Sequence, residues 1–250
     1  MKKNKLRLDT LLANKKLSPT RTKAQALIMS GNVLVNEQKI DKPGTLVPSD
    51  STIRILVDNC SYVSRGGLKL EGALKEFNYD PKDKIALDIG ASTGGFTDCL
   101  LQKGAKHVIA LDVGHNQIDY KLRSDPRVTV IEKFNARNLS VEALAKLLKN
   151  SHLPLVVMDV SFISITKILP ALKEVLTEKA DIISLIKPQF EAGKDQVEKG
   201  GLITDPKVHE EVLNKIKEFS TNLGFTIKGI CDSPITGTDG NKEFFIHLQK

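Results

Sequence analysis

The sequence predicts an α/β chain, a doubly wound and mostly parallel sheet preceded by a small α+β module. Three observations carry that expectation. Apolar runs end at a glycine, an acid or a lysine at positions 85–90, 108–112, 155–159 and 182–187, which is how strands buried on both faces of a parallel sheet read. Stretches with apolar residues at helical spacing lie between them, as strand–helix–strand units require. The net charge of +7 falls entirely within residues 1–65, where twelve Lys and Arg face five Asp and Glu, and the other residues balance.

Taken in order, the first quarter has the pattern of a folded module with a polyanion-binding face. Leu6, Leu8, Leu11 and Leu12 have helical spacing; Thr20 is placed to cap a second helix in which Ala24, Leu27, Ile28 and Met29 turn inward, and Ser30-Gly31 ends it. Val33–Val35, a turn at 36–38 and Lys39-Ile40 predict a short hairpin, and Asp50-Ser51 precedes a last strand over 52–57. Arg7, Lys15, Lys16, Arg21 and Lys23 fall on the helices or their junction, where they suit a phosphate backbone, and Arg65 closes the basic quarter. No Phe, Trp or Tyr lies between residues 1 and 61, so readout of single strands by base stacking is not expected.

The stretch IALDIGASTGGF, Ile85 to Phe96, organises the remainder. A strand that opens into Gly90, Ala91, Ser92, Thr93, Gly94 and Gly95 is a ligand loop at the carboxyl end of a sheet. Its glycines do not fit G-x-G-x-x-G, and no Gly-Lys-Ser/Thr follows, so neither phosphate fingerprint applies. Asp88 would repel a pyrophosphate but suits a cationic ligand, and S-adenosylmethionine carries both an ammonium and a sulphonium. In HVIALDVG, Asp112 ends a second strand just before Val113 and is placed to accept from ribose hydroxyls. The plainer alternative makes Asp88 a cap for the next helix.

Strands are then expected at 128–131, leading to Asn135, at 155–158, at 182–186 and, as an antiparallel edge, at 243–248, with helices at 141–148, 165–176 and 208–223. Asp159 and Lys187 follow two of these strands and belong on the edge that carries the loop, within reach of Glu243. The alternative is a structural ion-pair cluster. Lys69, on an expected helix after Gly66-Gly67, reads as solvated. The expected domains are 1–60 and 66–250 with a linker over 61–65. Cys60, Cys99 and Cys231 lack metal-ligand spacing and read as reduced thiols of a cytoplasmic protein. No apolar run approaches the ~20 residues of a membrane span, and no metal site is expected.

Two resemblances sharpen this. The run RLDTLLANKKLSPTRTKAQALIMSGNVLVNEQKIDKPGTLV resembles the small RNA-binding domain named after ribosomal small-subunit protein S-four, which implies recognition of structured RNA by shape and backbone. YVSRGGLKL, LDIGASTGGFTDCLL, ALDVG, VMDVSFIS, LIKPQFEAGK and GNKEFFIHL resemble the TlyA, or haemolysin-A-like, family of ribosomal RNA 2′-O-methyltransferases, whose Rossmann-like domain is similar to the FtsJ group. The resemblance implies S-adenosylmethionine as cofactor, ribosomal RNA or ribosomal subunits as partner, cytidine as target, and a Lys-Asp-Lys-Glu tetrad matching Lys69, Asp159, Lys187 and Glu243. In such a site a lysine acts as base toward a ribose hydroxyl, Lys187 being the candidate. A non-catalytic RNA-binding or assembly factor is the alternative, and a membrane-active haemolysin is disfavoured because no amphipathic inserting stretch is present.

Overall fold

A computed structural model describes residues 5–18, 20–29, 31–55, 61–143, 153–237 and 239–250. The chain forms two compact units, residues 1–59 and 60–250.

The first unit runs β1 (Lys5–Arg7), α1 (Leu8–Asn14), α2 (Arg21–Met29), β2 (Val33–Val35), β3 (Gln38–Lys39), β4 (Leu46–Pro48) and β5 (Ile53–Ile55). Thr20 caps α2 as expected, its Oγ1 accepting from the Lys23 N–H at 3.1 Å. The hairpin β2–β3 pairs antiparallel, and β5 joins the other side of β2. Leu8, Leu11, Leu12, Ala24, Ile28, Val33, Val35 and Val47 make its core. Two expectations change: Leu6 sits in a strand paired with β4, not in the helix, and Met29 is exposed instead of turned inward. Residues 56 and 57 of the expected last strand, Ser30 and Cys60 lie outside the described residues.

The second unit opens with α3 (Gly66–Glu76) and continues with β6 (Ile85–Ile89), α4 (Gly95–Gln102), β7 (His107–Leu111), α5 (Tyr120–Arg123), β8 (Val128–Ile131), β9 (Leu155–Met158), α6 (Leu169–Val175), β10 (Asp181–Ile186), α7 (Pro188–Glu191), α8 (Pro206–Asn222), β11 (Thr226–Asp232) and β12 (Phe244–Gln249). These strands form one seven-stranded sheet in the order β11-β12-β10-β9-β6-β7-β8. The pairs from β10 to β8 are parallel, and β12 runs antiparallel to both β10 and β11. The chain winds outward from β6 in one direction, then returns to β9 and winds outward in the other. The switch point therefore lies between β6 and β9, where a doubly wound sheet leaves its crevice.

Period-two alternation explains why the strands are apolar throughout. Leu87, Ile89, Ile109, Leu111, Val156 and Met158 face one layer, built with α6, α8 and the turn at 165–167. Ala86, Val108, Ala110, Leu155, Val157 and Phe245 face the other, built with α3 and α4. The expected helix at 165–176 is a 3-10 turn followed by α6 from Leu169, and residues 144–148 of the expected 141–148 helix are outside the described residues.

Two differences from expectation bear on the site. The strand after Glu243 is not an edge strand, because β11, a half-buried strand whose alternation Lys228 and Gly229 obscure, covers its outer side. The segment 61–65, expected as a linker, is built into the second unit: the Val63 N–H donates to Asp98 Oδ2 at 2.8 Å, Gln102 Nε2 donates to the Ser61 carbonyl at 2.8 Å, and Tyr62 is buried. A Cβ on Gly67 would lie 2.3 Å from Tyr62 Cγ. Gly67→Ala should therefore destabilise the second unit by about 1–3 kcal/mol, read as a lower urea midpoint at unchanged m-value; a wild-type midpoint would show that the Tyr62 ring yields freely.

Candidate active site

The site is built where β6 and β9 end. Gly90 has φ of +82° and its N–H donates to the Leu111 carbonyl at 2.8 Å. A Cβ there would sit 2.3 Å from the Asp159 backbone oxygen, so only glycine permits this approach. Gly94 has φ of +96°, and a Cβ on it would meet Leu122 Cδ1 at 2.2 Å. Asp112 ties the loop down, accepting the Ser92 N–H at 2.8 Å and the Gly114 N–H at 2.6 Å.

A cleft of about 470 Å³ opens beside this loop, within the range of small-molecule sites. Gly90, Ser92, Asp112, Val113, Asn135 and Asp159 line it together with Ile89, Phe134, Val160 and Ile163. Of the other residues expected to bind the cofactor, Ala91 is buried behind Ser92, while Thr93, Gly94, Gly95 and Phe96 form the loop's return and the start of α4. Phe96 stacks on Phe245 at 6.1 Å. Asp88 does not line the cleft either. It is wholly buried on the α4 face, accepting from Thr97 Oγ1 at 2.6 Å. Burial pushes its pKa up to about 7, opposed by the Thr97 hydroxyl and assisted by Asp159 and Asp112.

The tetrad residues come together from four elements. Asp159 follows β9, its N–H donating to the Ile89 carbonyl at 2.9 Å. Lys187 follows β10, and its Nζ lies 2.5 Å from Asp159 Oδ1. Glu243 precedes β12, whose Phe244 is in register with Ile186 of β10. Lys69 projects from α3, and its Nζ lies 2.5 Å from Glu243 Oε2. Lys69 is 9% exposed and Glu243 2%, so the solvated lysine expected from the sequence is instead a buried charge. Its partner is supplied 174 residues away, a separation that hides the pair from local pattern. Burial raises the Glu243 carboxyl above the usual range, countered chiefly by Lys69.

Sequence reasoning missed several supporting residues. Ser161 Oγ accepts from Lys187 Nζ at 2.9 Å. Glu191, 3% exposed, accepts from Ser164 Oγ at 2.5 Å and from the Ile165 N–H at 2.8 Å. Phe162 is 91% exposed at φ of +63°, with its ring 5.0 Å from that of Phe190. Ser161, Phe162, Phe190 and Glu191 lie in VMDVSFIS or LIKPQFEAGK, where proximity to Asp159 and Lys187 was the available signal. Among the described residues no cluster of three His, Cys, Asp or Glu could hold a metal, and no helix is long and apolar enough to cross a membrane.

In the first unit, the candidate RNA-binding residues divide by their ties. Arg7 binds buried Asp9 through Nε and Nη2 at 3.1 and 3.0 Å, and Arg21 Nε binds it at 3.1 Å. The Arg7 hydrogen bonds above all, with Gln25 and Arg21, hold the Asp9 carboxyl well below the usual range despite its burial. Both guanidinium groups remain about half exposed, which leaves donors facing outward. Lys15 Nζ is committed to the Ser51 carbonyl at 2.8 Å, whereas Lys16 and Lys23 are exposed. Arg65 belongs to the second unit, donating to the Thr236 carbonyl at 3.1 Å.

Residues 62–250 match the family described as FtsJ-like methyltransferase, and residues 6–53 match the S4 domain. The chain belongs to the FtsJ-like methyltransferase family. Within it, the chain is similar to YqxC of Bacillus subtilis, 49% identical over 99% of this chain and 87% of that protein. It is also similar to the 16S/23S rRNA (cytidine-2′-O)-methyltransferase TlyA of Mycobacterium tuberculosis, 41% identical over 97% of this chain and 89% of that protein. A solved structure from Streptococcus thermophilus described as a haemolysin matches with a TM-score of 0.76 and 42% identity, covering 99% of this chain and 89% of that one. An FtsJ-like methyltransferase fused to an S4 domain accounts for both units of the chain.

Asp88 gives this methyltransferase a measurable pH signature. Its carboxyl prefers the protonated form in the fold, so its contribution is present below the unfolded value of 3.8 and is lost as pH rises through about 7. Asp88→Asn should match wild type near pH 4 and exceed it at pH 8 by an amount on the order of 4 kcal/mol. Urea unfolding at pH 4, 6 and 8 checks this; stability curves that stay parallel would show that Asp88 is not neutral in the fold.

Proposed function

We propose that the protein is an S-adenosylmethionine-dependent ribose 2′-O-methyltransferase that acts on cytidine in ribosomal RNA. The observation that carries the reading is the Lys187–Asp159 ion pair at the switch-point cleft, faced by the buried Lys69–Glu243 pair. A protein that only binds RNA has no use for a buried and a half-buried lysine–carboxylate pair beside a ligand cleft.

The cleft suits the cofactor by size and by chemistry. Ile89, Phe134, Val160 and Ile163 offer apolar walls for an adenine, and Asp112, with acceptor capacity beyond its two backbone donors, suits ribose hydroxyls. Gly90 lets the chain pass close to the ligand, and Asn135, capping the turn at 136–138, closes the far side. When bound, S-adenosylmethionine supplies a methyl group made electrophilic by its sulphonium.

A ribose hydroxyl is a weak nucleophile, so its proton must leave as the oxygen attacks. Lys187, in its neutral form, takes that proton at Nζ, and Asp159 both holds the amine and stabilises the ammonium that results. Lys69 and Glu243 set the opposite side of the site, Lys69 donating toward the ribose and Glu243 fixing its ammonium. Phe162 holds a flat apolar face to solvent at the mouth of the cleft, which suits a base taken out of its stack. The first unit brings the RNA: Asp9 orients Arg7 and Arg21 toward backbone phosphates, with Lys16 and Lys23 adding charge, and Arg65 adds its charge from the second unit. A substrate of this kind supports a place of work beside ribosomes, in the cytoplasm.

Lys187→Ala should retain fold, cofactor affinity and RNA affinity yet lose single-turnover methylation of rRNA by roughly 10²-fold or more; a near-normal rate would make Lys187 structural. Asp112→Ala should weaken S-adenosylmethionine binding by about tenfold in calorimetry, as loss of hydrogen bonds to a charged group implies, with RNA affinity unchanged. Equal cofactor titrations for this variant and wild type would remove Asp112 from the cofactor site.

A further inference from the structure

We propose that Ser161 is a positioning residue for the base: with the Asp159 carboxylate, its hydroxyl fixes the direction in which the Lys187 amine presents its lone pair. This deepens the reading of Lys187 as the base and rests on it.

The argument is tetrahedral. A neutral amine has four directions at nitrogen, occupied in Lys187 by Cε, two N–H bonds and one lone pair. Asp159 Oδ1 lies 2.5 Å from Nζ and Ser161 Oγ lies 2.9 Å from it. Ser161 Oγ takes one N–H in a hydrogen bond, while Asp159 Oδ1, which accepts no aligned hydrogen bond, stands beside the amine as a negative charge that repels the lone pair; of the two directions left, the lone pair takes the one away from Asp159. With Asp159 alone, no hydrogen bond holds the amine; it turns about its Cε–Nζ bond, and the lone pair sweeps away from any one hydroxyl. Positional losses of this kind reduce rate without reducing binding.

A positioning hydroxyl is useful only if it is itself held. Ser161 is exposed, but the segment after it is pinned: the Ser164 hydroxyl and the Ile165 N–H both donate to the buried Glu191 carboxylate. Glu191 closes the four-residue helix that begins immediately after Lys187. Its backbone carbonyl accepts from Lys215 Nζ of α8 at 2.6 Å, and Phe162 packs on Phe190 of the same helix. The base and its orienting hydroxyl therefore stand on two segments locked to each other by a buried acid, and removing the exposed hydroxyl disturbs no packing.

The test is single-turnover methylation of rRNA by full-length wild type, Ser161→Ala, Ser161→Thr and Lys187→Ala, at saturating cofactor and RNA. Ser161→Ala should slow the methyl-transfer step about tenfold while both dissociation constants stay within about twofold. Ser161→Thr, which restores a hydroxyl, should recover most of the rate. A Ser161→Ala rate equal to wild type, with Lys187→Ala inactive, would overturn the role of Ser161 and leave the base assignment standing. A Ser161→Thr variant as slow as Ser161→Ala would also overturn it, since the hydroxyl would then not be what matters. A near-normal Lys187→Ala rate would instead overturn the base assignment itself.

Discussion

The close approach of the chain at Gly90 is the constraint on which the site depends. With a left-handed backbone and no Cβ, residue 90 lets the end of β6 lie against the Asp159 carbonyl. That contact sets the glycine loop and Asp159 side by side before any side chain is considered. Parallel pairing of β9 with β10, and the register of β12 on β10, then bring Lys187 and Glu243 to the same sheet edge. Any side chain at 90 would push the two strand ends apart, and the separation would pass directly into the spacing of the loop and the Lys187–Asp159 pair.

Electrostatics decides how such an edge survives in a folded protein. Two lysines and two carboxylates are taken largely out of water, which is tolerable only when each charge has a partner close by. The site answers with two pairs, Lys187 with Asp159 and Lys69 with Glu243, at 2.5 Å each. Removing one member leaves its partner charged and poorly solvated, so the loss of stability is largest at the buried pair, Lys69 with Glu243. The Lys187 side is less enclosed, with Ser161 and the cleft beside it.

The doubly wound sheet and its switch-point loop were legible in the sequence because apolar runs ending in glycine or acid are local signals. Asp159 and Lys187 followed from the same logic, since parallel strands gather their carboxyl ends on one edge. Lys69 was not legible locally: on its helix it looks like any surface lysine, and only resemblance marked it, because the acid that buries it is supplied from the other end of the chain. The interior position of β12 escaped for a related reason. Its neighbour β11 is half exposed and interrupted by Lys228 and Gly229, so neither alternation nor a continuous apolar run identified it. Asp9 was masked in the opposite way, as a short acid in a basic module whose burial between two arginines is a tertiary fact.

The placement of β12 also sets the order in which this candidate site can come into being. Its six residues fill the slot between β10 and β11, and Glu243 stands at its threshold. Until that strand is seated the sheet is split and the ammonium of Lys69 has no counter-charge at its tip. Domains made during synthesis acquire their earlier parts first. The S4 unit, with its arginines already braced by Asp9, is thus free to fold while the methyltransferase sheet still waits for its final strand. The basic unit therefore precedes the finished sheet in the life of each molecule, and a chain halted short of residue 243 would carry its S4 unit beside a methyltransferase sheet still open between β10 and β11.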